Sequence, residues 1–212
     1  MLEGLRCVLS HRLHRSLLGL MMAVFFAGAM VNATNVLWTL DVLGVSEAWF
    51  GVFTLTLAAG ALAGSQSAAA LVRRAGRGRA SWITIAAGGV GGLIAAATTS
   101  VYVAGVGLLI VGWASLAYGI VNLTLRQRLT PEAMLGRVTG IYFAAIQGVM
   151  VVGALAGGVL ASLGGLRLPW LLFGTGMLVI SQVTARRLTN DAVDEAVGSA
   201  DIAKTAEDGT LL

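Results

Sequence analysis

Apolar residues run through this chain in six long blocks, at 17–40, 48–72, 82–99, 101–125, 138–163 and 168–185, and no Asp, Glu, Lys or Arg falls inside any of them. A helix needs about 20 mostly apolar residues to cross the hydrocarbon core of a bilayer, so each block predicts a membrane-spanning helix. The absence of charge fits that reading, because a charge at mid-bilayer costs a few kcal/mol on insertion scales. Strands of a membrane barrel would be about 10 residues long with alternating polarity. These blocks are longer and do not alternate, which argues against a barrel. The first block follows Arg6, Arg12 and Arg15 and contains "AGA" at 27–29, as a secretory signal would. It runs on to Leu40, however, beyond the length of a signal's apolar core, and five more blocks follow.

Composition sharpens the picture. Hydrophobic residues make up 57% of the 212 positions and charged residues 11%, against about 25% charged in soluble domains. A soluble monomer rarely leaves so much apolar surface in water. Glycine is abundant, which membrane helices tolerate. The single cysteine, Cys7, excludes an internal disulfide. His11 and His14 both precede the first span, so no metal cluster is expected within the spans and no cofactor is implied.

The charges then set an orientation. Arg6, Arg12 and Arg15 precede span one; Arg73, Arg74, Arg77 and Arg79 separate spans two and three; Arg126, Arg128 and Arg137 separate spans four and five; Arg186, Arg187 and Lys204 follow span six. With six alternating spans all of these fall on one side, and the other side holds Arg167 with Asp41 and Glu47. Cytoplasmic loops carry the excess of Lys and Arg, so both termini are expected inside. Insertion into a membrane accounts for the net charge of +4, and nucleic acid is not an expected partner; membrane lipid is.

Three regions result: a lead-in at 1–16, a six-helix bundle at 17–187 and an acidic tail at 188–212. In the lead-in, Leu2, Leu5, Leu9 and Leu13 share one helical face. Such a segment is either an interfacial helix or a simple cytoplasmic approach. The tail carries six acids against Lys204 and reads as disordered.

Within the bundle, Gly28, Asn32, Asn35 and Thr39 share a face of span one, and Ser115, Tyr118 and Asn122 share a face of span four. Polar side chains in a membrane turn inward, toward a helix contact or a wet cavity. These six polar residues are therefore candidates for a substrate pathway or for hydrogen-bonded contacts between helices. Gly153 and Gly157 form a GxxxG pair in span five, which predicts close helix packing. Polar spans one and four, small-residue spans two and five, and plain spans three and six suggest two repeats of three helices. The fold class expected is all-α membrane protein.

Short motifs in the loops carry a family resemblance. "EGLR" at 3–6, "DVLGVS" at 41–46, "LVRRAGRGR" at 71–79 and above all "RQRLTPEAMLGRVTGIY" at 126–142 occur in the order and spacing of the C-terminal six-helix half of major facilitator superfamily transporters. The chain is similar to the bacterial efflux branch that includes the enterobactin exporter, over residues 3 to about 185. The resemblance implies a secondary transporter of the bacterial cytoplasmic membrane that exports small amphipathic compounds such as drugs or siderophores. It also implies that Arg73, Arg74, Gly76 and Arg77, and Pro131, Glu132, Gly136 and Arg137, belong to two cytoplasmic loop motifs, of which the second helps to latch the inward or outward state or serves as a topology signal alone. Thr130 would cap a short helix with Pro131 at its first position, and Gly136 would allow a tight turn. Arg73 stands where the family's loop motif often has an acid. The superfamily has about twelve helices, so this chain corresponds to one half. It is expected to be a fragment of a longer reading frame, with a split transporter or a self-pairing half as alternatives. A matching six-helix half or a second copy would then be its partner, beside a small-molecule substrate.

Enzyme activity is not expected. Intramembrane proteolysis needs a Ser–His pair or two aspartates within the membrane, and both histidines and all acids lie outside the spans. The other class compatible with the sequence is a non-transporting scaffold or assembly subunit, which would not require Asn32, Asn35 and Asn122 to share a cavity.

Overall fold

The computed structural model describes residues 12–129 and 134–187, together with Asn190 and Gly198. Six long helices make up nearly all of it: α1 (Arg12–Leu37), α2 (Glu47–Ala75), α3 (Arg77–Ala97), α4 (Val101–Leu129), α5 (Leu135–Gly164) and α6 (Leu168–Arg187). Each is long and apolar enough to cross a membrane, so the six apolar blocks coincide with six helices. The helices overrun their blocks by up to five residues, because polar residues can extend a helix beyond the hydrocarbon layer. α3, for instance, begins at Arg77, whereas its apolar block begins at Trp82.

α1 does not end at Leu37. It continues through a wider π-helical turn, Trp38–Val42, closed by the Leu43 amide donating to the Trp38 carbonyl at 3.3 Å. Short connections follow, and three contain a glycine at positive φ, the first being Gly44 at φ 68° before α2. Gly76, at φ 81°, is the single residue between α2 and α3. Gly165, at φ 80°, starts the turn from α5 to α6. Both conformations are ones that a Cβ would disfavour.

The packing follows from small residues. α2 lies along α4, α5 lies along α1, and α3 lies between α4 and α6, while α6 also touches α1. Trp38 just after α1 packs against Trp170 near the start of α6, with ring centroids 4.8 Å apart and planes tilted by 43°. Late α3 meets early α4 at Gly91 and Gly107, where a Cβ on either would come within 2.8 Å of the other's carbonyl. Late α1 and α3 therefore sit at the same end of the bundle as early α4 and α6. The opposite end carries Gly76, Arg126 and the start of α5, and is called here the basic end.

α3 is the enclosed helix: 56% of its apolar window is buried, against 17% for α2 and for α5. The outward faces of α2 and α5 are apolar. Trp49, Leu55 and Leu62 on α2, and Phe143, Leu155 and Leu163 on α5, are each at least 60% exposed. Surfaces of this kind are stable against lipid tails and costly in water. The six helices identify a membrane protein.

Three expectations need adjustment. Gly136 and Arg137 lie in the first turn of α5 rather than in a loop, and Gly136 has helical rather than turn geometry. Arg73, Arg74 and Arg77 likewise belong to helix ends, so the connection between α2 and α3 shrinks to Gly76. Span three is not plain. Gly88, Gly89, Gly91 and Gly92 form its packing surface, where a Cβ on Gly89 would come within 2.9 Å of the Gly174 carbonyl. The lead-in before Arg12, the short helix at Thr130, Pro131 and Glu132, and the tail apart from Asn190 and Gly198 lie outside the described residues.

Candidate functional site

The polar faces of α1 and α4 meet across the middle of the bundle. Between them lies a cleft of about 310 Å³, floored by α3 and α6. Asn32, Asn35, Ser115 and Tyr118 all line it. Asn32 and Ser115 are exposed, so the cleft opens to the outside of the bundle along their side. Tyr118 is 3% exposed and forms part of the wall.

Thr39 and Asn122, expected on the same faces, do not line the cleft. Each lies one turn beyond it and is buried. The Thr39 hydroxyl donates to the Asn35 carbonyl at 2.8 Å, and the Asn122 amide donates to the Tyr118 carbonyl at 3.0 Å. The physical reason is depth. Spacing identifies a face, but the lining stops at Asn35 on α1 and at Tyr118 on α4, one turn short of Thr39 and of Asn122.

The rest of the lining is apolar or aromatic, including Phe25, Ile85, Met150 and Phe173. No Asp, Glu, Lys, Arg or His is among the lining residues. Thr84 lines the floor, yet its hydroxyl is spent on the carbonyls of Ala80 and Ser81 at 3.0 and 2.9 Å. Several buried polar atoms have no hydrogen-bond partner among the described residues: Asn35 Oδ1, Tyr118 Oη, Asn122 Oδ1, and Nε1 of Trp38 and Trp170. Most buried polar groups in proteins are paired, so this concentration around one cleft stands out.

The basic end has its own structure. Arg126, 9% exposed, stacks over the ring of Tyr142 with Cζ 4.8 Å from the centroid. This ties the last turn of α4 to the second turn of α5. At the other connection, Asn190 bridges α2 and α3. Its Nδ2 donates to the Ala75 carbonyl at 2.9 Å, and its Oδ1 accepts from the Arg79 amide at 3.1 Å. Gly76 has no side chain with which to cap α3, and Asn190 performs that service from beyond α6.

Gly153 and Gly157 lie on the contact between α5 and α1. A Cβ on Gly153 would come within 2.5 Å of the Phe26 carbonyl, and one on Gly157 would collide with the Met30 carbonyl. The sequence reading missed the matching pair. Gly60 and Gly64 of α2 sit in the same way on the Leu109 and Trp113 carbonyls of α4; their four-residue spacing was a signal available in the sequence. Trp38, Trp170 and the Arg126–Tyr142 pair were also missed, because the partners are far apart in the chain.

Among the described residues, no group of His, Cys, Asp and Glu is placed to hold a metal. Comparison with family models, curated proteins and solved structures returned no match.

Proposed function

We propose that this chain is one six-helix half of a secondary transporter of the major facilitator type, with the cleft between α1 and α4 as its share of the substrate pathway. The observation that carries the reading is a common register. Asn32 to Ser115, Asn35 to Tyr118 and Thr39 to Asn122 are equal steps of 83 residues, and so are Phe26 to Leu109 and Met30 to Trp113, the carbonyls that receive the two glycine pairs. The glycine pairs themselves, Gly60 with Gly64 and Gly153 with Gly157, are 93 residues apart. The helix contacts agree: exchanging α1, α2 and α3 for α4, α5 and α6 turns the α1–α5 contact into α4–α2 and the α6–α1 contact into α3–α4. Two three-helix repeats of opposite direction produce this pattern, and transporters of this architecture bind substrate where such repeats meet.

Exposed Asn32 and Ser115 support a missing wall. Polar side chains in membrane helices face a bundle interior or a wet cavity rather than lipid. A second six-helix half would cover them and enclose the cleft. The distribution of arginines supports placing the basic end in the cytoplasm, and the resemblance supports export across a bacterial cytoplasmic membrane.

The test is reconstitution in parts. The 212-residue chain expressed alone should not export Nile red from cells. Co-expression with a six-helix N-terminal half of an exporter of this kind should restore efflux, and Asn32→Leu should then weaken it with the protein level unchanged. Export by the chain alone, running as a monomer, would show the half-transporter reading to be wrong.

A further inference from the structure

At the basic end, the connection between α2 and α3 concentrates positive charge. Arg73, Arg74, Arg77 and Arg79 fall within seven residues. Arg73 and Arg74 lie in the last turn of α2 and Arg79 in the first turn of α3, and all three are exposed. Among the described residues the carboxylates are Asp41 and Glu47, both at the opposite end of the bundle. Glu47 opens α2 and Arg73 comes 26 residues later, about 40 Å along the helix axis. The Debye length is about 10 Å at 0.1 M salt, so neither acid offsets these arginines.

The start of the chain's acidic segment is fixed at this same connection. The Asn190 side chain spans it, donating to the Ala75 carbonyl at 2.9 Å and accepting from the Arg79 amide at 3.1 Å. It fits because Gly76 has no side chain: a Cβ there would lie within 2.6 Å of the Asn190 Cγ. Asp191, Asp194 and Glu195 follow in sequence. An extended chain advances at most about 3.6 Å per residue. Asp191 therefore adjoins the anchor, and Asp194 and Glu195 stay within about 18 Å of it. So short a tether holds its groups at millimolar effective concentration. Gly198, three residues beyond Glu195, is exposed, which limits the docked stretch to the acids nearest the anchor.

We propose that the acidic segment from Asp191 to Glu195 docks on Arg73, Arg74 and Arg79 and straps the end of α6 to the connection between α2 and α3. The surface is charge-complementary to this segment and lies at its point of attachment. Anionic lipid headgroups are attracted to the same arginines. The acids have the advantage that Asn190 has already removed the translational freedom that a separate partner would lose on binding. The strap goes beyond the transporter reading and does not depend on it.

The experiment uses the full chain with Cys7→Ser in phosphatidylcholine nanodiscs, spin-labelled at Ala69→Cys, an exposed position on α2, and at Val193→Cys. Double electron–electron resonance at 0.1 M salt should show a narrow short-distance peak. Asp191→Asn, Asp194→Asn and Glu195→Gln together should lower the ratio of short to broad component about tenfold, since each exposed pair is worth up to about fivefold. Arg73→Gln, Arg74→Gln and Arg79→Gln together should do the same. Reversing all six charges, with lysine at the three acids and glutamate at the three arginines, should restore the peak. Salt at 1 M, where the Debye length is about 3 Å, should broaden it. The acid set alters no residue of the six helices, so its result stands even where the arginine set lowers folded yield. A broad distribution in the parent chain would overturn the proposal. So would a peak that survives both triple sets and is lost in Asn190→Ala, which would leave the cap as the sole tether. Nanodiscs of anionic phosphatidylglycerol should keep the peak; its loss there would assign the arginines to headgroups and overturn the proposal as well.

Discussion

Gly157 of α5 lies against the main chain of Met30 on α1, so close that a Cβ added to it would come within 2.9 Å of the Met30 Cα and closer still to the carbonyl oxygen. Two helix backbones meet here without side chains between them, which strengthens dispersion contacts where no hydrophobic effect separates helix from lipid.

Substitution at this contact should be costly. Gly157→Ala is expected to destabilise the bundle by about 1–3 kcal/mol through overpacking, and Gly157→Leu to lower folded yield severely. Gly64→Leu, at the matching contact with Trp113, should behave in the same way. Gly158→Ala, next in sequence but facing open space, should be tolerated. Thermal unfolding of the four variants in detergent distinguishes the outcomes; equal midpoints for Gly157→Ala and Gly158→Ala would place Gly157 against lipid.

Asn190 should be coupled to Gly76. Asn190→Ala removes the cap on α3 and is expected to cost about 1 kcal/mol. Gly76→Ala introduces a Cβ at φ 81° and within 2.6 Å of the Asn190 Cγ. Once Asn190 is gone that collision disappears and only backbone strain remains. The double variant should therefore be more stable than the sum of the two losses implies, a non-additivity read from a double-mutant cycle.

The Tyr142 ring should carry a large part of the contact with Arg126. Tyr142→Phe keeps the face over which the guanidinium lies and is expected to cost less than Tyr142→Ala. Tyr142→Ala, at a fully buried position, should cost about 3–5 kcal/mol, as other large aromatic truncations do. Near-equal unfolding midpoints for the two variants would remove the stacking contact from the account.

The orientation proposed above predicts a labelling pattern. In a Cys7→Ser background, a membrane-impermeant maleimide applied to intact cells should label Ser46→Cys and Ser100→Cys, both exposed at the end opposite the basic one. Ala75→Cys should react only after the membrane is opened. Labelling of Ala75→Cys from outside would invert the topology.

Much of this could be read along the chain. The number and approximate limits of the helices follow from apolar length, because the free energy of placing a segment in hydrocarbon accumulates residue by residue. The shared faces of Asn32 with Asn35 and of Ser115 with Tyr118 follow from helical spacing alone. So does the GxxxG pair at Gly153 and Gly157. None of these needs a second helix to be known.

Other features required the packed bundle. That Gly157 meets Met30, that Trp38 packs against Trp170 and that Asn190 caps α3 depend on which surfaces fit together, and steric fit between segments far apart in the chain leaves no local periodicity. Depth was equally hidden. Thr39 and Asn122 share faces with the cleft residues, but the tertiary structure buries them one turn beyond its lining. Local spacing determined which residues look inward; the close approach of helix backbones decided which of them meet.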